Sequence, residues 1–188
     1  MAADLAARAR RVRLLTCDVD GVLTDGRIYV ADDGRESKAY SCLDGLGLKW
    51  LSRSGITVAW ITGSDAPAVA HRAATLGVAR VYQGSENKLD VWERLRTDLS
   101  LDAAECAHIG DDLPDLALIL RCGLGATVPH APEALKSRAH YVTRRSGGDG
   151  AVREVCELIL AAQGKLAPLF EAYGADSTPD LDAKVRRL

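Results

Sequence analysis

Residues 14–26 read LLTCDVDGVLTDG. Together with Val12 and Arg13, the first of these make a run of the length and β-branched character of a buried strand. The run ends on two carboxylates one residue apart, Asp18 and Asp20, followed by Gly21. If the strand persists to its end, alternation of side chains puts both carboxylates on one face. Two like charges so close cannot both stay ionised in a crevice without a compensating cation, so the pair calls for a shared proton or a divalent metal. Gly21 permits a sharp turn that brings backbone N–H groups toward an anion. An oxygen-rich site beside such N–H groups suits Mg²⁺ and a phosphate. Read alone, the three residues also fit a surface acidic turn, because Asp and Gly are ordinary turn residues.

Outward from this stretch, short apolar strands alternate with helices. Residues 1–10 read as a polar lead-in or frayed helix. Residues 27–40 read as a hairpin, with Asp33-Gly34 as its turn. Asp44 can cap a helix carrying Leu46, Leu48 and Leu51 and ending at Gly55. Residues 56–61 form a second buried strand that ends on Thr62-Gly63-Ser64-Asp65. Asp65 can cap a helix running to about Leu76, with Gly77 as its stop. Strand 78–82, a helix capped by Asn87 from Lys88 to about Leu99, and strand 106–109 follow. The last strand leads into Gly110-Asp111-Asp112 and a helix over 113–120 with Pro114 in its first turn. Residues 123–128 are strand-like, 131–137 a short helix and 140–143 a final strand. A basic, glycine-rich loop over 144–150 precedes an amphipathic helix over 151–162, with Val152, Val155, Leu158 and Ile159 on one side. This order predicts an α/β fold, a Rossmann-like doubly wound parallel sheet with helices on both faces. One domain is expected over residues 1–164, with the hairpin at 27–40 and a C-terminal extension over 165–188.

Ligands of such sheets sit beyond the carboxyl ends of the strands. That rule collects Asp18 and Asp20, Thr62-Gly63, the Asn87-Lys88 helix start, and Asp111, Asp112 and Asp115 into one site. Each part serves phosphoryl transfer. Asp18 is a carboxylate nucleophile that would form an aspartyl-phosphate. Asp20 can protonate the leaving alcohol and later deprotonate water. Thr62 supplies a hydroxyl and Gly63 a backbone N–H to phosphate oxygens, and Lys88 offsets the growing charge. Asp111 completes an oxygen-only metal shell with the Asp18 carboxylate and a backbone carbonyl of Asp20; so acidic a site needs a divalent ion to welcome phosphate. Taken singly, Thr62-Gly63 is a strand-to-loop turn, Lys88 a solvated lysine and Asp112 a helix N-cap. His71, His108, His130 and His140 have no ligand spacing and read as structural or exposed.

The four pieces, DVDGVLT, ITGS, a lysine heading a helix, and GDDLPD, resemble in order the four motifs of the haloacid dehalogenase superfamily of phosphatases. The resemblance implies Asp18 as nucleophile, Asp20 as acid/base, Thr62 and Lys88 as phosphate binders and Asp111 as metal ligand, with Asp112 and Asp115 supporting the metal's water or Lys88. Neither the span from Asp25 to Thr62 nor that from Thr62 to Lys88 has room for a cap domain, the lid that commonly excludes water and selects substrate. Capless members with DGVLTDG, a hairpin, DGLG (residues 44–47), TLG (75–77), YQG (82–84), GDDLPD and a GGxGAVRE tail form a narrower group. On these motifs the chain is similar to the 3-deoxy-D-manno-octulosonate 8-phosphate (Kdo 8-phosphate) phosphatases of lipopolysaccharide synthesis. The resemblance implies a homotetramer joined through the hairpins, with neighbouring subunits covering the sites. It departs at Ser64, where the group usually has Arg and relatives acting on 9-phosphorylated nonulosonates often have Glu. Substrate contacts are expected from Ser64, Asp44 and Gly45, and from Arg144 and Arg145, either of which could pair with a substrate carboxylate.

Composition excludes several classes. The formal charge of −2 provides no field for nucleic acid. No apolar run approaches the ~20 residues of a membrane span, and the N-terminal segment has no apolar core of a secretory signal. Five scattered cysteines without a CxxC pair are expected to be reduced thiols in a cytoplasm. A receiver domain would place an adjacent acidic pair after strand one and has no use for the GDD run. An inactive oligomerisation module of the same fold should have lost one of Asp18, Asp20, Lys88 or Asp111, and all are present. A phosphomutase would share the chemistry but need a cap.

Overall fold

The computed structural model describes residues 2–175. Six parallel strands form one sheet in the order β5-β4-β1-β6-β7-β8. β1 (Leu14–Cys17) and β4 (Thr57–Ile61) lie side by side, with β6 (Cys106–Gly110) on the other flank of β1. β5 (Arg80–Tyr82), β7 (Leu124–Thr127) and β8 (Tyr141–Val142) complete it outward. The fold is therefore the α/β doubly wound one that the sequence predicts. Strands β1, β4 and β6 are buried on both faces, which is why they read as continuous apolar runs.

Alternation along these strands sorts the core into two layers. Leu15, Cys17, Val58, Trp60, Ala107 and Ile109 face the layer under α1 (Ala2–Arg11), α2 (Cys42–Arg53) and α7 (Ala151–Ala162). Leu14, Ala59, Ile61 and Cys106 face the layer under α4 (Lys88–Asp98) and α5 (Leu113–Arg121), packed on Trp92, Leu95 and Leu118. The even-numbered face of β1 therefore points toward α4 and α5, and Asp18 is the next residue on it. The N-terminal segment is a full helix whose Leu5 and Ala9 are buried, not a frayed lead-in. α3 (Pro67–Leu76) and α6 (Glu133–Lys136) fill the connections.

Three local expectations are corrected. The strand does not persist to Asp20: it ends at Cys17, and the N–H groups of Leu23 and Thr24 both donate to the Val19 carbonyl, closing a turn. Asp20 is thus on a turn and shares no strand face with Asp18. α2 is capped by Ser41, which accepts from the Leu43 N–H, and not by Asp44. α3 begins at Pro67 with no side-chain cap, so Asp65 plays no such part. Asn87 does cap α4, accepting from Asp90 N–H at 3.4 Å.

The hairpin is present as β2 (Tyr29–Val30) and β3 (Glu36–Ser37), an antiparallel pair separate from the main sheet. Ile28 and Val30 on it are 68% and 63% exposed. Beyond α7, α8 (Leu166–Glu171) buries Leu166, and Phe170 and Tyr173 pack on Trp50 of α2. The first part of the expected extension is therefore ordered against the domain, and residues 176–188 lie outside the described residues. No helix among the described residues is long and apolar enough to cross a membrane.

Candidate active site

The carboxyl ends of β1, β4 and β6 and the starts of α4 and α5 meet at one place. Asp18 leaves β1 with its N–H bonded to Ile109 of β6 at 3.0 Å, so the strand pairing carries the backbone as far as this residue. Its buried carboxylate accepts from Lys88, with Nζ 2.7 Å from Oδ1. The same ammonium lies 2.7 Å from Oδ1 of Asp115, in the first turn of α5. Asp111, just past β6, completes the group: oxygens of Asp18, Asp111 and Asp115 lie within 4.8 Å of one another.

Asp115 is occupied on both oxygens. Oδ1 receives Lys88 and His108 Nε2, the latter at 3.1 Å, and Oδ2 receives the N–H of Asp111 at 3.2 Å and of Asp112 at 3.5 Å. Burial alone would push its carboxyl up, but the hydrogen bonds and charges of His108 and Lys88 hold it below the usual range. It is therefore a fixed anion that holds the Lys88 ammonium. Asp112 accepts from Leu113 N–H at 2.8 Å and caps α5 in a reciprocal box with Asp115, so its carboxylate serves the helix start rather than a ligand.

Asp18 and Asp111 differ from Asp115. Burial raises the Asp18 carboxyl, and the Asp115 charge adds to it against the pull of Lys88. Asp111 is pushed up to about 8, by burial first and then by the charges of Asp18 and Asp115. Three carboxylates face one ammonium, so two negative charges need a partner. The donor set is all oxygen, which fits a hard divalent cation. Asp18 and Asp111 are the carboxylates left free to hold it.

Gly21 allows this closeness for a reason other than the one expected. A Cβ there would stand 2.1 Å from Asp111 Oδ2, and its φ of +84° suits only glycine without strain. Its N–H does not point at an anion site; it donates to Thr24 Oγ1, which also accepts from Gly26 N–H. Thr24 thus ties the turn after Asp20 together from inside.

The β4 end places Thr62, buried, one residue beyond Ile61, and its Oγ1 accepts from Ser64 N–H at 3.1 Å. That bond leaves the Thr62 hydroxyl hydrogen to donate. Gly63 is exposed, with open space where a side chain would be. Ser64 Oγ accepts from Ala66 N–H at 3.3 Å and so starts the turn into α3.

The remaining expected substrate contacts are placed differently. Asp44 is buried, and its oxygens accept from Gly150 N–H at 3.3 Å and Arg153 N–H at 2.8 Å; it caps α7, a helix more than a hundred residues away in sequence. Gly45 packs beneath Arg72 and Leu76. Neither presents a group to a substrate. Arg144 pairs with Glu154 at 3.7 Å, and Arg145 donates to the Asp149 carbonyl at 3.1 Å; both are exposed. The loop that carries them packs on the turn that follows Asp18. Gly148 N–H donates to Val22 O at 3.0 Å, and a Cβ at Gly147 would lie 1.8 Å from the Gly21 carbonyl.

Two site residues were not anticipated. His108, fully buried on β6, links Thr16 Oγ1 at 2.9 Å to Asp115 and stands directly behind Lys88's anchor. Its signal was a histidine inside an otherwise apolar strand, which must find partners when buried. Lys38, after β3, pairs with Asp20, and only 5% of its side chain is exposed. Nothing local in the sequence marks it.

Residues 70–155 match the family model described as haloacid dehalogenase-like hydrolase. The chain is 48% identical over 166 residues to the 3-deoxy-D-manno-octulosonate 8-phosphate phosphatase KdsC of Escherichia coli K12, covering 88% of each chain. It is similar to the crystal structure of the 3-deoxy-D-manno-octulosonate 8-phosphate phosphatase of Yersinia pestis (TM-score 0.85, 48% identity, 87% of this chain and 88% of that one). It is also similar to the Moraxella catarrhalis phosphatase of that name, solved with magnesium, phosphate and KDO (TM-score 0.88, 42% identity, 92% and 98% covered). With the carboxylate and lysine cluster standing where the superfamily motifs converge, the chain belongs to the haloacid dehalogenase-like hydrolases, in their 3-deoxy-D-manno-octulosonate 8-phosphate phosphatase family, and is a phosphatase.

Proposed function

We propose that the protein hydrolyses Kdo 8-phosphate to Kdo and phosphate through an aspartyl-phosphate on Asp18. The observation that carries the mechanism is the buried Asp18–Lys88–Asp115 chain at the end of the central strand. Lys88, held by Asp115, which His108 braces from behind, orients the Asp18 carboxylate and stays beside the phosphoryl oxygens as their charge grows. Thr62 Oγ and the Gly63 N–H donate to the same oxygens. Asp18 attacks phosphorus, the bond to the leaving oxygen breaks, and Asp20 gives that oxygen its proton. Asp20 then takes a proton from the water that attacks the aspartyl-phosphate.

Mg²⁺, held by Asp18, Asp111 and the Asp20 carbonyl, would neutralise the carboxylates and polarise the phosphoryl group when bound. The surplus of carboxylates at Asp18, Asp111 and Asp115 over the one Lys88 ammonium supports this, and the magnesium-bound relative agrees with it. The exposed Ile28 and Val30 on a two-stranded hairpin, an element marginal alone, support assembly into a homotetramer. The cysteines support a cytoplasmic place, and the domain is proposed to run past residue 164 to include α8. Arg144 and Arg145, on the loop packed beside the nucleophile turn, are the groups proposed to meet the substrate carboxylate.

Ser64 carries neither the Arg usual in the family nor the Glu frequent in relatives acting on nonulosonate 9-phosphates, so a nonulosonate 9-phosphate is the second substrate to compare. Phosphate release measured on both compounds with Mg²⁺ present decides between them. Kdo 8-phosphate should have the higher kcat/KM, and Ser64→Arg should raise it. A preference for the nine-carbon compound would replace the substrate assignment and leave the chemistry intact.

A further inference from the structure

Beside Asp20 lies a group that the reaction as described above does not use. The Lys38 ammonium contacts Asp20 Oδ1, and among the described residues that carboxylate is its one ionic partner. Lys38 lies between Ser37 and Ala39, both exposed, yet nearly all of its own side chain is removed from water. Withdrawing an ammonium from water for a single carboxylate on a half-open turn gains little stability. The arrangement therefore serves placement. The segment that delivers it is held rigidly. Two residues on, Tyr40 stacks on the fully buried Trp60 of β4, with centroids 6.3 Å apart and planes at 12°. The Arg72 guanidinium lies 5.8 Å from the centroid of the same ring.

We propose that Lys38 is a positioning residue for proton transfer: it fixes the rotamer of Asp20 and occupies Oδ1, so that the exchangeable proton resides on Oδ2. No other side chain among the described residues bonds either Asp20 oxygen. The turn that carries Asp20 is short, and without Lys38 its carboxylate is free to rotate about two torsions. The proton moves as in the reaction above. It leaves Oδ2 for the leaving oxygen as the P–O bond breaks, and Oδ2 later accepts one from the attacking water. Lys38 keeps its own protons throughout. This inference rests on Asp20 being the general acid, and its test separates the two.

The test compares kcat/KM on phenyl phosphate and on p-nitrophenyl phosphate for wild type, Lys38→Met, Lys38→Arg and Asp20→Asn, with Mg²⁺ present. kcat/KM covers the steps through phosphoryl transfer, where the leaving group departs. p-Nitrophenolate leaves without a proton, whereas phenolate profits from one. Lys38→Met should lose on the order of 10-fold or more on phenyl phosphate and less than about 3-fold on p-nitrophenyl phosphate, with Lys38→Arg recovering part of the loss. A role confined to anchoring the hairpin would lower both substrates equally, and that outcome, or no loss at all, overturns the inference. Asp20→Asn should show the same split. If it does and Lys38→Met does not, the inference on Lys38 falls alone; if neither does, the general-acid role of Asp20 falls too.

Discussion

Lys88 holds one ammonium against two buried carboxylates, and this single side chain connects Asp18 at the end of β1 to the second helix of the site. Burial opposes its charge, but Asp18 and Asp115 raise its pKa above the ordinary lysine value, so it stays protonated at any working pH. Asp111 depends on a neighbour of another kind, the missing side chain of Gly21. Gly21→Ala would force a Cβ to within 2.1 Å of Asp111 Oδ2 at a backbone angle unsuited to alanine, so the carboxylate must move. Mg²⁺ affinity should fall about 10–100-fold, the range for disturbed ligand support, as read by titrating activity or by calorimetry with Mg²⁺. Unchanged affinity would mean Asp111 does not bind the ion. At this scale the sequence was legible where chemistry repeats locally: Asp18, Thr62, Lys88 and Asp111 all stand at the strand and helix ends where they were expected. Lys38 was not legible, because it owes its place to a partner across the hairpin, and His108, though marked as a polar residue in an apolar strand, carried no spacing that named Thr16 and Asp115 as its partners.

At the scale of elements, alternation in β1 and β6 determines which helices meet the site. Thr16, Asp18 and His108 share the face toward α4 and α5, so Lys88 and Asp115 can reach them. Helices and strands were legible from period and punctuation, and α7 was delimited to the residue by Gly150 and its apolar face. Caps were less so, since the N-terminus of α7 is capped by Asp44 from α2 and a reader of local sequence assigns Asp44 to its own helix. That cap has a pH signature. Burial pushes the Asp44 carboxyl up to about 6, against the hydrogen bonds it accepts from α7. The folded state therefore holds this proton more tightly than the unfolded chain, whose value is about 3.9. Between those two values stability falls as pH rises. Relative to Asp44→Asn, the wild type should lose on the order of 2–3 kcal/mol of unfolding free energy between about pH 4 and about pH 7, measured by urea denaturation. A difference that stays constant with pH would show that the carboxyl is not perturbed.

For the whole molecule, the main sheet is covered on both faces and the hairpin is not. Tyr29 and Val30 stand outward on two residue pairs of β-structure, with Ile28 exposed just before them, too little to be stable alone in water. The tetramer proposed from this should appear by light scattering at micromolar concentration. Replacing both Ile28 and Val30 by lysine should shift the mass toward smaller species. An active wild-type monomer would contradict assembly through the hairpin. Lys38 lies at the foot of the same element, so loss of assembly should also cost turnover more on basic leaving groups than on p-nitrophenyl phosphate.

The most direct test of Asp18-based phosphatase chemistry is phosphate release from Kdo 8-phosphate by wild type and Asp18→Asn, with Mg²⁺ and after thorough chelation. Wild type with Mg²⁺ should turn over with saturation, lose activity on chelation and regain it when Mg²⁺ is restored. Asp18→Asn should remain folded by circular dichroism and release no phosphate under either condition. Turnover by folded Asp18→Asn at the wild-type rate, or undiminished wild-type turnover without a divalent ion, would contradict it.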